Sequence, residues 1–278
     1  MSNYTSLMKR YKDQPAKEIF AHFGFKGQEG ETWEAPYEKL ARLAKDEDWN
    51  FHRSEFQRNG QHFPILTSYL NYTFLRLLEE GKIAYSNDGD RACFNSGLQT
   101  KNEKDIYATF FRNRKAEERN QPQWNLYGFF DSYSNKLSDF SPLPELASYI
   151  DNPVDLVFNT SCEIEVNYDH IFDENNERLP DVLQNNRTLA ISAMQGSVEL
   201  LKEKILRNYK TAIPHWYQSK IQLLLPLNLT SEHEADLALV AEKDPAKCMY
   251  RIKTALTMDM AYVDARLITR PDREWLNP

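Results

Sequence analysis

The sequence predicts an α+β fold in which a mainly antiparallel sheet packs against helices. Two long segments, 65–83 and 186–213, repeat apolar residues every three or four positions, as amphipathic helices do. Several shorter runs alternate apolar and polar residues, or stay apolar throughout, which is typical of strands. The 278 residues are 41% apolar and 13% aromatic, which is enough to build a sizeable core.

The first part of the chain predicts mostly helix. Residues 1–36 are interpreted as an N-terminal helical lead that glycines interrupt. Pro36 then favours the start of a short amphipathic helix over 37–44, because proline fits the first turn. The polar stretch 45–62 predicts a loop, and the helix over 65–83 follows it.

The middle of the chain changes to strand patterns. Strands are predicted at 91–100, 105–113 and 124–133. A short helix is predicted over 142–150. The alternation within 155–172 then predicts one or two further strands.

The last part predicts the longest helix, around 186–211, followed by more strands. The apolar residues expected to face the core from this helix are Leu189, Ala193, Val198, Leu201, Ile205 and Leu206. Strands are predicted at 219–229, 235–243 and 248–258, and the tail 259–268 fits a helix or a fourth strand. Residues 37–278 are expected to form one α+β domain, or two lobes that divide into 37–184 and 185–278.

Several function classes lack their sequence signals. Glycine is scarce, at nine residues, and neither GxGxxG nor GxxxxGK[ST] occurs, so a dinucleotide fold or a P-loop is not expected. No apolar run is long enough for a membrane span, and the first residues do not resemble a secretory signal. The prediction is therefore a cytoplasmic protein.

The three cysteines, Cys93, Cys162 and Cys248, form no CxxC or CxxH motif, so no zinc knuckle is expected. In a reducing cytoplasm they are expected to be small, buried, apolar side chains.

Charge is unevenly distributed along the chain. The formal net charge is −7, yet residues 186–278 hold 13 Lys and Arg against 11 Asp and Glu. An acidic protein can still bind nucleic acid where cations cluster locally.

The clearest such cluster surrounds the end of the long helix. It combines cations with the flat rings of Tyr209, Trp216 and Tyr217, which suits phosphate contacts and base stacking. Its RNA- or nucleotide-binding candidates are Arg207, Asn208, Tyr209 and Lys220, together with Arg270 further along. The competing interpretation is that cations near a helix end only complement the helix dipole, and that 264–275 is a self-paired surface network.

The same segments suggest a catalytic alternative. Cleavage of RNA without a metal needs a base, an acid and a cation near the phosphorus. His215, with Tyr217 or Lys210, and Arg266 could fill these roles if 207–220 and 264–275 form one site. This alternative makes the protein a phosphodiester or pyrophosphate hydrolase.

Two further candidate sites lie elsewhere. Glu163, Glu165 and His170 could hold Mg²⁺ or Mn²⁺, although a solvated strand face explains them equally well. Asn95 and Gln99 carry amides that could contact base edges, although such residues also stabilise turns.

Six blocks of the sequence resemble a known family. They read LNYTFLRLLEEGKI, FNSGLQT, EIEVNYDHI, RNYKTAIPHWYQSKIQLLLPL, ADLALVAEK and ALTMDMAYVDARLITRPDREWL. They are similar to the uncharacterised bacterial domain that occurs beside OST-HTH (LOTUS) RNA-binding domains, the OST-HTH-associated domain. The agreeing polar and aromatic positions include Asn71, Asn95, Gln99, Tyr168, His170, Asn208, Tyr209, Lys210, Gln222, Asp259, Arg266 and Trp275.

The resemblance covers about Tyr37 to the end of the sequence, and it implies a role in RNA metabolism through the companion domains. It also allows a LOTUS-type protein as a partner. It supplies no established catalytic residues. The expected function is RNA or nucleotide binding, with the hydrolase and a protein-interaction module as alternatives.

Overall fold

Two five-stranded sheets and six α-helices form the computed structural model, which describes residues 4–23, 34–56, 62–244 and 246–270. The α+β prediction is confirmed. The chain divides into two units, one from the described residues of Met1–Phe51 and Gln57–Ser148, the other from His52–Phe56 and the described residues of Tyr149–Pro278.

The first unit contains one mixed sheet and two helices. Its elements are β1 (Ala21–His22), α1 (Ala35–Leu43), α2 (Pro64–Glu79), β2 (Ala84–Tyr85), β3 (Arg91–Gln99), β4 (Asp105–Arg112) and β5 (Trp124–Asp131). The strand order is β1-β5-β4-β3-β2. β1 runs parallel to β5, and the other neighbours are antiparallel.

Aromatic side chains join α2 to this sheet. The ring of Phe74 on α2 lies 4.7 Å from that of Phe20 and 5.7 Å from that of Phe94. Asn71, one helical turn earlier, is buried and its Oδ1 accepts a hydrogen bond from the Leu7 amide at 3.0 Å. The apolar face of α2 therefore packs on the sheet, while its buried amide holds the N-terminal segment.

The second unit contains the other sheet and four helices. Its elements are β6 (Glu163–Val166), α3 (Tyr168–Asn175), α4 (Asp181–Gln184), α5 (Arg187–Arg207), β7 (Ile213–Tyr217), β8 (Lys220–Leu227), β9 (Leu237–Asp244), β10 (Met249–Leu256) and α6 (Met258–Ala265). The order is β6-β10-β9-β8-β7, with β6 parallel to β10 and the rest antiparallel.

Helices cover both faces of this second sheet. On the face that we call the α5 face, Met194, Val198 and Leu201 pack against strand residues such as Leu225. On the opposite α6 face, helix α6 packs against strand residues such as Leu224. Because side chains alternate along a strand, each residue of β7 and β8 can be assigned to one of the two faces.

The helices predicted over 37–44, 65–83 and 186–213 are present as α1, α2 and α5, and each predicted strand before 142 and after 213 has its counterpart. The tail 259–268, for which a helix or a fourth strand was predicted, contributes to the helix α6. In α5, Val198, Leu201 and Ile205 are buried as expected. Leu189 and Leu206 are instead 50% and 61% exposed, because the buried stripe runs through Ala190 and Met194.

Several features of the fold differ from their predictions. The described part of the N-terminal lead is not a long helix, since only Ala16–Glu18 form a short 3-10 turn before β1 joins the first sheet. Residues 155–172 contain one strand, β6, followed by the helix α3. The division between the units falls at 148/149 rather than 184/185, because β6 pairs with β10 of the second sheet.

The helix predicted over 142–150 is absent, and these residues have no regular secondary structure. Their backbone is held by charged side chains from the end of α2 instead of by helical hydrogen bonds. Arg76 Nε donates to the Ser148 carbonyl at 2.8 Å, and Lys82 Nζ donates to the Leu146 carbonyl at 2.9 Å. Glu80 accepts from the Ser148 amide at 3.1 Å.

The expectation of three reduced cysteines is wrong for two of them. Cys162 and Cys248 form a disulfide, whereas Cys93 is free and buried. Sequence reasoning missed the pair because 86 positions separate the two residues, and only the parallel β6–β10 pairing brings them together.

None of the helices that the structure describes combines the length and the apolar character that a membrane crossing needs.

Candidate functional site

A pocket of about 410 Å³ lies in the second unit, between the edge of the sheet and the chain segment that precedes β6. This volume is within the usual range for small-molecule sites. The pocket is lined by Tyr149, Asp151, Asn152, Asp155, Trp216, Ser219, Lys220, Ile221, Gln222, Leu223, Ala241, Glu242, Lys243 and Tyr250.

Aromatic and aliphatic side chains form much of this lining. Trp216 lies on the α5 face, opposite Ile221 in the β7–β8 pair. Its ring meets that of Tyr149 edge-to-face, with centroids 5.5 Å apart and planes at 75°. Tyr250 is buried and stacks on Phe158 at 4.1 Å. A flat, apolar ligand would therefore find aromatic surface in this pocket.

The charged side chains of the lining are largely paired with each other. Lys243 Nζ lies 3.3 Å from Asp155 Oδ1, and Lys220 Nζ lies 3.0 Å from Glu242 Oε1. With Asp151, the lining holds three carboxylates and two lysines. This balance does not favour a phosphate inside the pocket. It suits a neutral ring that carries hydrogen-bond donors and acceptors.

The turn between β7 and β8 places two non-glycine residues in the left-handed region. Gln218 has φ 47° and Ser219 has φ 60°, a combination that tight hairpins need but usually meet with Asn-Gly. Because Ser219 also lines the pocket, this strained turn forms part of its wall.

The segment from Tyr149 to Cys162, which we call the cover segment, forms the other wall. A 3-10 turn at Pro153–Leu156 is capped by Asn152, whose Oδ1 accepts from the Val154 amide at 3.2 Å. The Asn159 amide donates to the Tyr250 hydroxyl at 2.9 Å. The cover segment therefore touches the sheet at both ends of the pocket.

His215 lies next to Trp216 but on the α6 face. Its Nδ1 is 4.0 Å from Oδ2 of Asp264 on α6, and only 2% of its side-chain surface is exposed. Among the residues that the structure describes, neither ring nitrogen has a hydrogen-bond partner. Burial lowers the pKa of His215 to about 4, and the neighbouring Gln222 side chain acts in the opposite direction.

The side chain of Asp264 is less deeply buried, with 25% of its surface exposed. Burial raises the pKa of its carboxyl to about 7. The segments 207–220 and 264–270 thus approach each other where His215 faces Asp264, while 271–275 lie outside the described residues. A substrate would have to displace α6 to reach the imidazole, so this placement does not favour direct catalysis by His215.

The other predicted catalytic and binding residues are spread around β7. Lys220 alone among them lines the pocket. Tyr217 is 51% exposed and alternates with Trp216, so it lies on the side of His215. Tyr209 and Lys210 are exposed in the 3-10 turn before β7. Arg266 and Arg270 follow α6.

Two residues of the same segment have local structural partners. Arg207 donates from one guanidinium nitrogen to the carbonyl of Glu203 at 2.7 Å and to its carboxylate at 2.5 Å. The Oδ1 atom of Asn208 accepts from the Lys210 amide at 3.0 Å and so caps the short turn. These contacts agree with the dipole and capping interpretation of this helix end.

Asn95 and Gln99 belong to the first unit, where both amides bind Asp105. The distances from Asn95 Nδ2 and Gln99 Nε2 to its carboxylate oxygens are 3.3 and 3.1 Å. Between them, Gly97 adopts φ +75°, and a Cβ there would lie 2.4 Å from the Tyr69 hydroxyl. The pair therefore stabilises an irregular stretch of β3, as the turn-stabilising alternative anticipates.

The three predicted metal ligands are not gathered into one cluster. Glu163 and Glu165 lie on β6, and Glu165 pairs with Arg251 at 3.4 Å, whereas His170 lies on α3. Across 4–23, 34–56, 62–244 and 246–270, no three His, Cys, Asp or Glu side chains are arranged to hold a metal ion.

Sequence reasoning named Trp216 only as a flat ring in the cationic cluster, and it missed Tyr149, Asp155, Lys243 and Tyr250. These four stand in three separate segments, and none belongs to a recognisable motif. No signal in a single sequence could have grouped them.

A family model described as Domain of unknown function (DUF3825) matches residues 40–275 of the chain. No curated protein and no solved structure matches it.

Proposed function

Because the chain belongs to the DUF3825 family, whose function is unknown, we propose from its site that the second unit binds a nucleobase. The base would be presented by single-stranded RNA or by a free nucleotide. A cytoplasmic role in RNA metabolism, with a LOTUS-type protein as an allowed partner, is part of this proposal and comes from the sequence resemblance.

The observation that carries the proposal is the pocket on the α5 face. Trp216 and Tyr149, which are both partly exposed, offer aromatic surface, and side chains such as Asp155 and Lys243 offer hydrogen-bond partners around it. Bases in single strands are commonly recognised by stacking together with hydrogen bonds to their edges. A largely paired set of charges inside the pocket suits an uncharged ring.

The phosphates of such a ligand would remain outside the pocket. Tyr209 and Lys210 are exposed at the opposite end of β7 from Trp216. The six positions from Lys210 to Trp216 span at most about 20 Å of extended chain. A strand of a few nucleotides could therefore place one base in the pocket and contact this ring and this cation with its neighbours.

Fluorescence anisotropy with labelled single-stranded RNA oligonucleotides tests the proposal, with unlabelled nucleotides as competitors. We expect binding that weakens with salt because of the phosphate contacts. Competition by mononucleotides would identify a free nucleotide as a sufficient ligand. No binding of any RNA or nucleotide would contradict the proposal and would favour the protein-interaction module.

The alternative function is phosphodiester or pyrophosphate hydrolysis. The observation that favours it is the pair His215 and Asp264, 4.0 Å apart and each with a shifted pKa. This reaction would require α6 to move, because the helix covers the imidazole. Incubating end-labelled RNA with Mg²⁺, with Mn²⁺ and with EDTA separates the possibilities. Products that persist in EDTA would support a metal-free site, and products lost in EDTA would indicate a metal-dependent reaction.

A further inference from the structure

We propose that the Cys162–Cys248 disulfide regulates the pocket, because it fastens the cover segment to the sheet. In the oxidised chain the cover segment is held in place and the pocket keeps both walls. In the reduced chain the cover segment loosens and the ligand binds more weakly. This inference rests on the proposed function only for the last step, since the mobility of the cover segment can be measured without a ligand.

The disulfide stands where the cover segment ends. Cys162 is its last residue, and Cys248 follows the turn that leads from β9 into β10. Those two strands supply Lys243 and Tyr250 to the pocket lining. The bond thus ties one wall of the pocket directly to the strands that form the other.

The remaining attachments of the cover segment are non-covalent, and they include the two ring contacts with the sheet described above. Inside the segment, the Asn159 amide also donates to the Tyr250 hydroxyl at 2.9 Å, and Asp155 pairs with Lys243 at 3.3 Å. Beyond it, the Glu163 amide donates to the Cys248 carbonyl at 3.1 Å at the start of the β6–β10 pairing. The sheet can therefore survive reduction, whereas the cover segment loses its covalent attachment.

The bond is open to attack from one side. Cys248 is exposed and adopts φ 46°, whereas Cys162 is buried in the α5-face core. The thiol of the third cysteine, Cys93, does not attack the disulfide, because Cys93 is buried and burial raises the pKa of its thiol to about 12. Exchange thus has one accessible sulfur, that of Cys248.

The reaction is ordinary thiol–disulfide exchange with a small thiol reductant. A thiolate of the reductant attacks Cys248 Sγ, the Sγ–Sγ bond breaks, and Cys162 leaves as a thiolate that takes a proton. A second reductant thiolate attacks the reductant sulfur of the mixed disulfide and releases Cys248 as a thiolate, which is then protonated. Two reductant thiols become one disulfide, and the protein gains two electrons and two protons.

Hydrogen exchange followed by mass spectrometry tests the inference on the full chain, with and without dithiothreitol. We expect reduction to speed exchange of the amides in 149–162 by about tenfold or more, while the amides of β8 change little. Cys248→Ser should exchange rapidly with or without reductant. Cys93→Ser is the matched control, and its exchange should respond to reductant as the unmodified chain does.

Anisotropy with a labelled single-stranded RNA oligonucleotide supplies the second arm. If the ordered cover segment is populated about one-tenth of the time after reduction, affinity falls about tenfold. Unchanged amide hydrogen exchange in 149–162 after reduction would overturn the inference, whatever the result of the RNA titration. Faster exchange with no RNA binding in either state would support the redox attachment and contradict the proposed function instead.

Discussion

Replacing Trp216 by alanine is expected to weaken binding of a single-stranded RNA oligonucleotide by about 5- to 150-fold, because stacking of one base on an aromatic ring contributes about 1–3 kcal/mol. The indole forms one wall of the pocket and meets Tyr149 edge-to-face. Titration of the labelled oligonucleotide into both proteins by anisotropy measures the effect. Trp216→Phe keeps a flat ring and should retain most of the affinity.

The neighbouring residue supplies the control. Tyr217 is also aromatic and is 51% exposed, but it lies on the other face of the sheet. Tyr217→Ala should therefore leave the affinity within about twofold of the unmodified chain, since it removes a ring that this pocket does not use. Equal losses in Trp216→Ala and Tyr217→Ala would contradict the assignment of the pocket.

Replacing Asp264 by asparagine is expected to stabilise the chain at pH 8 by about 2 kcal/mol and to change little at pH 4. Burial raises the pKa of this carboxyl from 3.8 to about 7. A raised pKa means that the folded chain holds the proton more tightly than the unfolded chain. The contribution of the Asp264 carboxyl to stability is thus complete below pH 4 and is lost as the pH rises through 7. Asparagine does not titrate, so the variant does not lose stability in this way.

His215 contributes the opposite dependence. Burial lowers its pKa from 6.5 to about 4, so its contribution to stability is lost as the pH falls from 6.5 towards 4. In the unmodified chain the two effects oppose each other over this range. Asp264→Asn removes the opposing contribution of Asp264. The free energy of unfolding of this variant should therefore decrease as the pH falls from 6.5 towards 4.

Urea unfolding curves recorded from pH 4 to pH 8 provide the measurement. Glu177→Gln, which removes a negative charge from an exposed position of the same unit, is the control and should show no such pattern. A destabilised Asp264→Asn chain at pH 8 would show instead that the carboxylate and a protonated His215 form an ion pair.

Local patterns account for most of the elements but not for their arrangement. The periodicity of α2 and α5 and the apolar runs of β8 and β9 follow from the chain itself. The prediction of a helix over 142–150 was wrong because Arg76 and Lys82, which bind the backbone of this segment, come from a distant part of the sequence. Such partners are invisible to a local pattern.

The site was less predictable than the fold. The cationic cluster drew attention to the chain around β7, yet strand alternation places His215 and Trp216 on opposite faces of the sheet. The prediction grouped both in one cationic cluster because it did not recognise residues 213–217 as a strand. Tyr149 and the disulfide depend on long-range packing, and a single sequence does not contain that information.

The binding of a base in the pocket is the central claim, and photo-crosslinking tests it most directly. Single-stranded RNA containing 4-thiouridine would be irradiated with the full chain, and the crosslinked peptides would be identified by mass spectrometry. The account predicts crosslinks at Trp216 or Tyr149, which disappear when unlabelled RNA competes. Crosslinks confined to the first unit, around Asn95 and Gln99, or to the α6 face around Tyr217 and Arg266, would contradict it.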